Sequence, residues 1–218
     1  MPKKVKTWVT SPKPGPHKKF ESIPLQIIVR DILKLAETGK EARTIINRGE
    51  ILVDGKPRKD NGYPVGLFDV IAIPTTKQFY RVVTSGHGLT VITISEEEAK
   101  VKICKIDDKT IVKKGKMQLN LNDGKNILVE DGKYKPGDSL LVELPTLKIK
   151  EHMKLVKGNV GIIIKGKNSG VTCEIKEILS GKFKQPSRVI YDSEGKSAEV
   201  LKDNFVVVGK EKPLITVS

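Results

Sequence analysis

The first regular pattern of apolar and polar residues in the chain is a helical one between Ser22 and Gly39. Apolar residues recur there at the spacing that gives a helix one buried face: Leu25, Ile28, Val29, Ile32, Leu33 and Ala36. Ser22 is placed to act as the N-cap, Pro24 falls in the first turn, where proline is tolerated, and Gly39 is expected to end the helix.

A shorter helix follows, predicted from about Lys40 to Arg48, with Gly49 at its C′ position. The same spacing argument assigns its buried face to Ala42, Ile45 and Ile46. The opposite, solvent-facing side is then expected to carry Lys40, Arg43, Asn47 and Arg48.

The next residues predict a β-hairpin with a cationic exit. A β-branched run, "EILV", leads into Asp54-Gly55, a dipeptide typical of a two-residue type I′ turn. Three cations follow within four residues: Lys56, Arg58 and Lys59. A further strand, Asp69–Pro74, is expected to complete this unit of about fifty residues, which is within the usual range of small domains.

The rest of the chain has the short, evenly spaced strand pattern of β-rich modules. Residues 76–150 offer runs such as "FYRVV", "LTVITIS" and "DSLLVEL", separated by Gly, Asp and Lys turns roughly every ten residues. From residue 151 on, alternating runs at Val160–Ile164 and Val171–Ile175 flank a glycine-containing loop, Gly166–Gly170. Later strands would complete a small barrel ending near Gly209.

These patterns predict an α+β fold that is mostly β. We expect a basic, proline-rich tail over residues 1–22, a helix–helix–hairpin domain over 23–75, a β-rich central domain over 76–150 and a barrel over 151–218. The tail holds four prolines and six lysines against one glutamate, so it should be extended in isolation. Trp8 and Phe20 lie among its lysines, where aromatic rings can stack on bases while the cations neutralise phosphates.

Composition adds a partner class. Forty Lys and Arg against 26 Asp and Glu give a net charge of +14 and an isoelectric point near 9.6. Such an excess indicates a polyanionic partner, nucleic acid first and an anionic membrane second. The charge is spread over the whole length rather than over one helical face, and no apolar run approaches a membrane span, so no membrane partner is expected. The N-terminus also lacks the apolar segment of a secretory signal.

The second helix and the hairpin exit are expected to form the two walls of a concave surface suited to a phosphate backbone, which we call the notch. Its walls are Arg43, Asn47 and Arg48 on one side, and Lys56, Arg58 and Lys59 on the other. The predicted RNA-binding residues are those of the tail, the notch and the barrel loop: Lys3, Lys4, Lys6, Trp8, Lys13, Lys18, Lys19, Lys40, Arg43, Asn47, Arg48, Lys56, Arg58, Lys59, Lys165, Lys167 and Asn168. Gly49, Gly55 and Gly170 are assigned structural roles.

Two motifs carry a resemblance to known families. The Ala-Arg helix, the glycine stop and the "VDG" hairpin resemble the alpha-L RNA-binding motif, found in ribosomal proteins, pseudouridine synthases and tyrosyl-tRNA synthetases. The strand–glycine turn–strand around Gly170 resembles the KOW motif, which implies an SH3-like barrel.

The blocks "SIPL…RDILKLA" and "VDGKPRKDNGYPVGLFDVI", in this order of parts, are similar to the small-subunit ribosomal protein family S4e of archaea and eukaryotes. This resemblance covers nearly the whole chain. It implies a structural, non-catalytic protein of the cytoplasmic ribosome, with small-subunit rRNA and neighbouring ribosomal proteins as partners. The chain ends soon after the KOW segment, as archaeal members do, whereas its tail before Trp8 is shorter than is common in the family.

No catalytic, metal or cofactor signature is recognisable. "GKNSG" lacks the order of a phosphate loop, the three histidines lack metal-ligand companions, and Glu96–Glu98 indicates a helix start or an exposed turn. Cys104 and Cys173 lie in alternating strands and are expected to be buried thiols. No cofactor, metal or small-molecule substrate is therefore expected.

Two other function classes stay open at this stage. An RNA-modifying enzyme such as a pseudouridine synthase can carry an alpha-L motif, but residues 76–218 offer no matching catalytic aspartate context. A transcription elongation factor is suggested by the KOW segment alone, and it would bind RNA polymerase rather than folded rRNA.

Overall fold

The computed structural model describes residues 9–86, 88–112, 115–130, 132–181, 185–193 and 196–217, without the side chains of Ser193 and Lys196. Strands dominate, and the helices of ten residues or fewer are concentrated before residue 50. The predicted fold class, α+β and mostly β with a small helical N-terminal part, is confirmed.

The chain divides into two compact units, each described here by itself. The first comprises the residues up to Val83, His87–Lys102 and Glu143–Thr146; the second comprises Thr84–Gly86, Ile103–Val142 and the residues from Leu147 on.

The first unit carries the helical elements. Its elements in chain order are a 3-10 turn Lys19–Glu21, β1 Ser22–Pro24, α1 Leu25–Ile27, a π-helical turn Ile28–Ile32, α2 Gly39–Arg48, β2 Leu52–Val53, β3 Lys56–Pro57, β4 Pro64–Gly66, β5 Val70–Ile73, β6 Gln78–Ser85, β7 Gly88–Thr93 and α3 Glu96–Ala99. Strand β1 pairs with β4, and the larger sheet has the order β3–β2–β5–β6–β7. One core joins the helices to this sheet through Leu25, Ile46, Val53 and Ile71.

The first predicted helix is shorter than its apolar pattern indicates. Ser22 lies in β1 rather than at an N-cap, and Pro24 occupies the cap position without a side-chain hydrogen bond. The N–H groups of Leu25 and Gln26 donate instead to the backbone oxygens of Tyr63 and Asn61, so no side-chain cap is needed.

The same helix also ends earlier than predicted. The N–H of Leu33 donates to the oxygen of Ile28, five residues back, at 2.8 Å, and this wider π-type turn closes the helix. Lys34 then takes a positive φ of 54°. Gly39, predicted to end this helix, is instead the first residue of α2.

Helix α2 matches its predicted span, but Ile45, which the spacing assigns to the buried face, is only half-buried. Ala42 and Ile46 are fully buried, and Gly49 follows the helix with a φ of 78°, the left-handed conformation expected at this position. Thr38 is the N-cap: its Oγ1 accepts the N–H of Glu41 at 3.2 Å. The Glu41 carboxylate accepts the N–H of Glu37 at 3.1 Å, and this backbone hydrogen bond, with that from Thr38, lowers the pKa of Glu41.

The hairpin after α2 has the predicted type I′ turn. Strands β2 and β3 pair at Val53 and Lys56, and the two residues between them, Asp54 and Gly55, have φ values of 52° and 73°. Strand β2 also pairs with β5, so the hairpin forms one edge of the larger sheet, with β3 outermost.

The second unit holds two five-stranded sheets. Its strands are β8 Val101–Ile111, which begins in the first unit, β9 Met117–Leu121, β10 Asn126–Val129, β11 Ser139–Glu143, β12 Ile149–Met153, β13 Val160–Ile163, β14 Thr172–Leu179, β15 Arg188–Ser193, β16 Lys196–Leu201 and β17 Phe205–Gly209. A 3-10 turn, Lys202–Asn204, precedes β17. The sheet orders are β10–β9–β8–β11–β12 and β16–β15–β14–β13–β17.

Both cysteines are buried free thiols in strands, as predicted. Burial raises the pKa of Cys173 to about 12, so this thiol is inert at neutral pH.

Candidate nucleic-acid interface

The outer face of α2 presents the cations that the helical spacing assigned to it. With Ala42 and Ile46 turned into the core, the side chains on the opposite side are exposed to solvent: Lys40, Arg43, Asn47 and Arg48. Arg48 is 3.6 Å from Glu50, and both side chains are exposed, so this ion pair holds the guanidinium only weakly.

The hairpin exit supplies the second set of cations. Lys56 and Lys59 are exposed. Arg58 is half-buried, and its guanidinium carbon lies 4.4 Å from the centroid of the Tyr63 ring. Burial raises the pKa of Tyr63 to about 12, against the opposing effect of the Arg58 charge. The guanidinium thus stacks on the ring of a neutral phenol. Arg58 is therefore a packed side chain as well as a surface cation.

The end of α2 and the hairpin exit are in direct contact. A Cβ added to Gly49 would lie 3.2 Å from Cε of Lys59 and 3.8 Å from Cβ of Pro57. The stem of Lys59 thus crosses the C-terminal end of α2, where the helix dipole favours positive charge. Lys59 of one predicted wall thus lies at the helix end that carries Arg48 of the other wall.

A buried charge network, which the sequence analysis missed, lies beneath the hairpin. Lys102 is 1% exposed, and its ammonium donates to Oδ2 of Asp54 at 2.8 Å and to Oδ1 of Asp69 at 2.5 Å. Oδ1 of Asp54 accepts the N–H of Val70 at 3.0 Å. The turn aspartate of the hairpin is thus fixed from both sides.

The network extends to the tail through His17. The Nε2 of His17 lies 2.9 Å from Oδ2 of Asp69, which also accepts the N–H of Gly66. Burial by itself would raise the pKa of Asp69, but Lys102 and His17 outweigh it and hold that pKa well below its usual range. No local motif marks these residues, because their side chains meet only across separations of 33 to 52 positions.

The described part of the tail is bound to the first unit rather than separate from it. The N–H of Lys13 donates to the oxygen of Gly62 at 2.8 Å, and its ammonium lies 3.0 Å from Asp60. Thr10 donates to Oε1 of Gln26 at 2.7 Å. Among the tail cations, Lys18 and Lys19 are exposed, whereas Lys3, Lys4, Lys6 and Trp8 lie outside the described residues.

The loop between β13 and β14 is fixed by its own contacts in the second unit. Lys165 and Lys167 are exposed, but the amide of Asn168 donates to the hydroxyl of Tyr191 at 2.7 Å. Asn168 therefore has a structural bond in addition to its predicted role. Gly170 has a φ of 89°, and a Cβ there would come within 2.9 Å of Cα of Ser85 and the oxygen of Thr84.

Neither of the described histidines belongs to a metal site. No group of three or more His, Cys, Asp or Glu side chains that could hold a metal ion occurs among the described residues. His152 is bonded to Asp138 at 2.8 Å, and His87 lies outside the described part of the chain. Glu96–Glu98 form the first turn of α3, capped by Ser95, as one of the two predicted alternatives. No helix among the described residues has the length and apolarity needed to cross a membrane.

Comparison with known proteins matches two parts of the chain to family models. Residues 23–71 match the S4 domain, and residues 76–149 match the ribosomal family S4e. The first match contains α2 and the hairpin, and the second contains the strands from β6 to β11.

Similarity to individual proteins extends over the whole chain. The small ribosomal subunit protein eS4 of Archaeoglobus fulgidus is 44% identical over 218 residues, covering 99% of this chain and 92% of the relative. That of Methanothermobacter thermautotrophicus is 42% identical over 217 residues, covering 99% and 89%. The crystal structure of the 30S ribosomal protein S4e from Thermoplasma acidophilum superposes with a TM-score of 0.76 at 31% identity, covering 87% of this chain and 96% of that one.

Proposed function

Because the chain belongs to the ribosomal protein family S4e, we propose that it is a structural component of the small ribosomal subunit in the cytoplasm and binds rRNA there. The observation that carries the proposal is the row of exposed cations on α2, within the matched S4 domain. The family is one of ribosomal structural proteins rather than enzymes, so no catalytic role is assigned.

We propose that the RNA-contacting surface is the notch, extended by the tail and the barrel loop. Exposure of their side chains supports this role for a set of the predicted residues: Lys13, Lys18, Lys19, Lys40, Arg43, Asn47, Arg48, Lys56, Lys59, Lys165 and Lys167. Arg58 and Asn168 join them with part of their side chain held internally. The KOW identity of residues 151–218, the four segment boundaries and the contacts to neighbouring ribosomal proteins belong to the same proposal.

The binding mechanism is electrostatic and shape-based. Each lysine or arginine that reaches a phosphate releases condensed counterions, so affinity falls linearly with salt on a logarithmic scale. The folded frame adds geometry: α2 and the hairpin hold their cations at fixed positions, so a rigid RNA surface meets charges already in place.

The experiment compares two double variants by salt-dependent binding to small-subunit rRNA transcripts. The notch variant is Arg43→Ala with Arg48→Ala. We expect weaker binding and a log–log salt slope that is less steep by about 2, since each phosphate-contacting cation contributes about 1. Thermal unfolding should change little, because both side chains are exposed.

The charge-matched control is Lys176→Ala with Arg188→Ala, two exposed cations that are ion-paired with Asp192 and Glu199 in the second unit. This variant should keep nearly the full salt slope. Equal losses in both variants would show that net charge, rather than the notch, governs binding. Absence of rRNA binding by the unaltered chain at moderate salt would overturn the proposed function itself.

A further inference from the structure

Phe20 is the most exposed large apolar side chain in the described part of the protein. It is 91% exposed, compared with 75% for Ile111 and 60% for Leu128, whereas Phe68 and Phe205 are fully buried. A phenyl ring in this position contributes almost nothing to the core, because its apolar surface stays in water. Its exposure leaves the ring available for a contact beyond the described residues.

The backbone that carries Phe20 is fixed on both sides. The N–H of Glu21 donates to the oxygen of Lys18 at 2.9 Å, and the hydroxyl of Ser22 donates to the same oxygen at 3.0 Å. Three residues before the ring, His17 is buried against Asp69; directly after the turn, β1 pairs with β4. The ring is thus presented in a preformed position, and binding to it orders little additional chain.

Two cations, Lys18 and Lys19, directly precede the ring in the chain, and Glu21, which is half-buried, follows it. Lys18 and Lys19 are both exposed, and within the described residues neither forms an ion pair. An exposed aromatic ring beside exposed cations is the combination with which proteins hold single-stranded nucleic acid: the ring stacks on a base and the cations contact the adjoining phosphates. A hydrophobic pocket on a protein would accept the ring but would leave these two charges without a role.

We propose that Phe20 stacks on an unpaired base of the small-subunit rRNA, with Lys18 and Lys19 on the neighbouring phosphates. The inference rests on the proposed function and adds an aromatic contact, at a position that the structure describes, to the cations of the proposed surface. Because stacking tolerates any base, this contact selects an unstacked nucleotide rather than a particular sequence.

The test measures affinity for small-subunit rRNA and its salt slope in three variants of the full chain. Phe20→Ala and Phe20→Leu should each bind less tightly; the alanine variant should lose about 5- to 150-fold, the range for removing one aromatic–base stack. Phe20→Tyr should bind like the unaltered chain. None of the three should change the salt slope, since no charge is altered. Leu128→Ala, which truncates another exposed apolar residue, is the matched control and should bind normally.

The outcomes separate this inference from the proposed function. If Phe20→Ala binds normally while the notch variant is weakened, stacking is wrong and rRNA binding stands. If Phe20→Leu retains affinity that Phe20→Ala loses, the contact is apolar rather than stacked, and the inference is again wrong.

A crosslink identifies the partner directly. A chain with a benzophenone amino acid in place of Phe20, assembled into small subunits and irradiated, should crosslink to rRNA. Crosslinking to a ribosomal protein alone would overturn the proposal in favour of a protein pocket.

Discussion

Two lysines of β8, Lys102 and Lys105, are buried. They are the polar positions in a run of apolar residues, where a solvent-facing side chain would be expected. Lys102 stays between two carboxylates. Lys105 donates instead to the oxygens of Lys202 and Asp203 at 3.0 and 2.8 Å, and burial lowers its pKa to about 8. Neither position could be predicted from the sequence, because a lysine is buried only where distant partners converge on it.

Glycine positions at the residue scale were easier to predict, and Gly170 gives a test. Gly170→Val should destabilise the second unit, because its φ of 89° strains a β-branched residue and the added atoms meet the backbone of Thr84 and Ser85. Gly166→Val is the matched control: its φ is 105°, but open space surrounds the site.

Both glycine variants carry backbone strain, but only Gly170→Val also carries the overpacking cost of about 1–3 kcal/mol. Its free energy of unfolding, measured in urea, should therefore be lower than that of Gly166→Val by about this amount. Equal losses would mean that the backbone conformation alone requires the glycine.

At the scale of elements, the apolar periodicity located both helices but not every helix end. Leu25, Ile28 and Val29 are buried as the spacing predicts. The early stop at Leu33 could not be predicted, since no glycine or proline marks it and the π-type bond to Ile28 forms within an unbroken apolar pattern. The end of helix α2 was predicted well because a local residue determines it: Gly49 adopts the left-handed conformation that ends the helix.

The N-cap of α2 supplies a prediction at this scale. Thr38→Ala removes the oxygen that accepts the N–H of Glu41, so the helix should lose about 0.5–2 kcal/mol of stability. Thr44→Ala is the control: this exposed threonine bonds only back to the Lys40 oxygen within the helix, where alanine is favoured. The midpoint temperature of thermal unfolding should therefore fall for Thr38→Ala only. A similar fall for both variants would contradict a capping role.

At the scale of the whole molecule, the net charge and the order of the motifs along the chain predicted a nucleic-acid partner. The buried charge network could not be predicted in this way. Exposed cations are visible in composition and helical spacing alone. The anchoring of the tail is not, because it depends on His17 meeting Asp69 across 52 positions. The tail, expected to be extended in isolation, is bound to the first unit at Thr10, Lys13 and His17, through contacts that pattern analysis does not detect.

This anchoring predicts an acid-sensitive first unit. The folded-state pKa of Asp69 is lowered, so the stability it contributes is present above its unfolded-state value of about 4 and is lost as pH falls below that value. Asp69→Asn should lower the free energy of unfolding by about 3–5 kcal/mol at pH 7, the range for breaking a buried ion pair. The variant should also lose less stability than the unaltered protein as pH falls from about 4 to about 2.

The matched control for this acid prediction is Asp60→Asn. Its carboxylate pairs with Lys13 at the surface, where exposed pairs contribute about 0–1 kcal/mol. Urea unfolding at a series of pH values, followed by circular dichroism, measures both variants. If the free energy of unfolding fell as steeply with pH in Asp69→Asn as in the unaltered protein, Asp69 would not be the source of the acid sensitivity.

The burial of His17 also has a consequence in time. During synthesis His17 emerges 52 residues before Asp69, and Lys102 follows after a further 33. At about 5–20 residues per second, the tail therefore waits on the order of ten seconds for the site that will hold it. Throughout that interval its lysines are free to meet RNA, so the part of the protein that is made first is held in place only after Asp69 and Lys102 have been made.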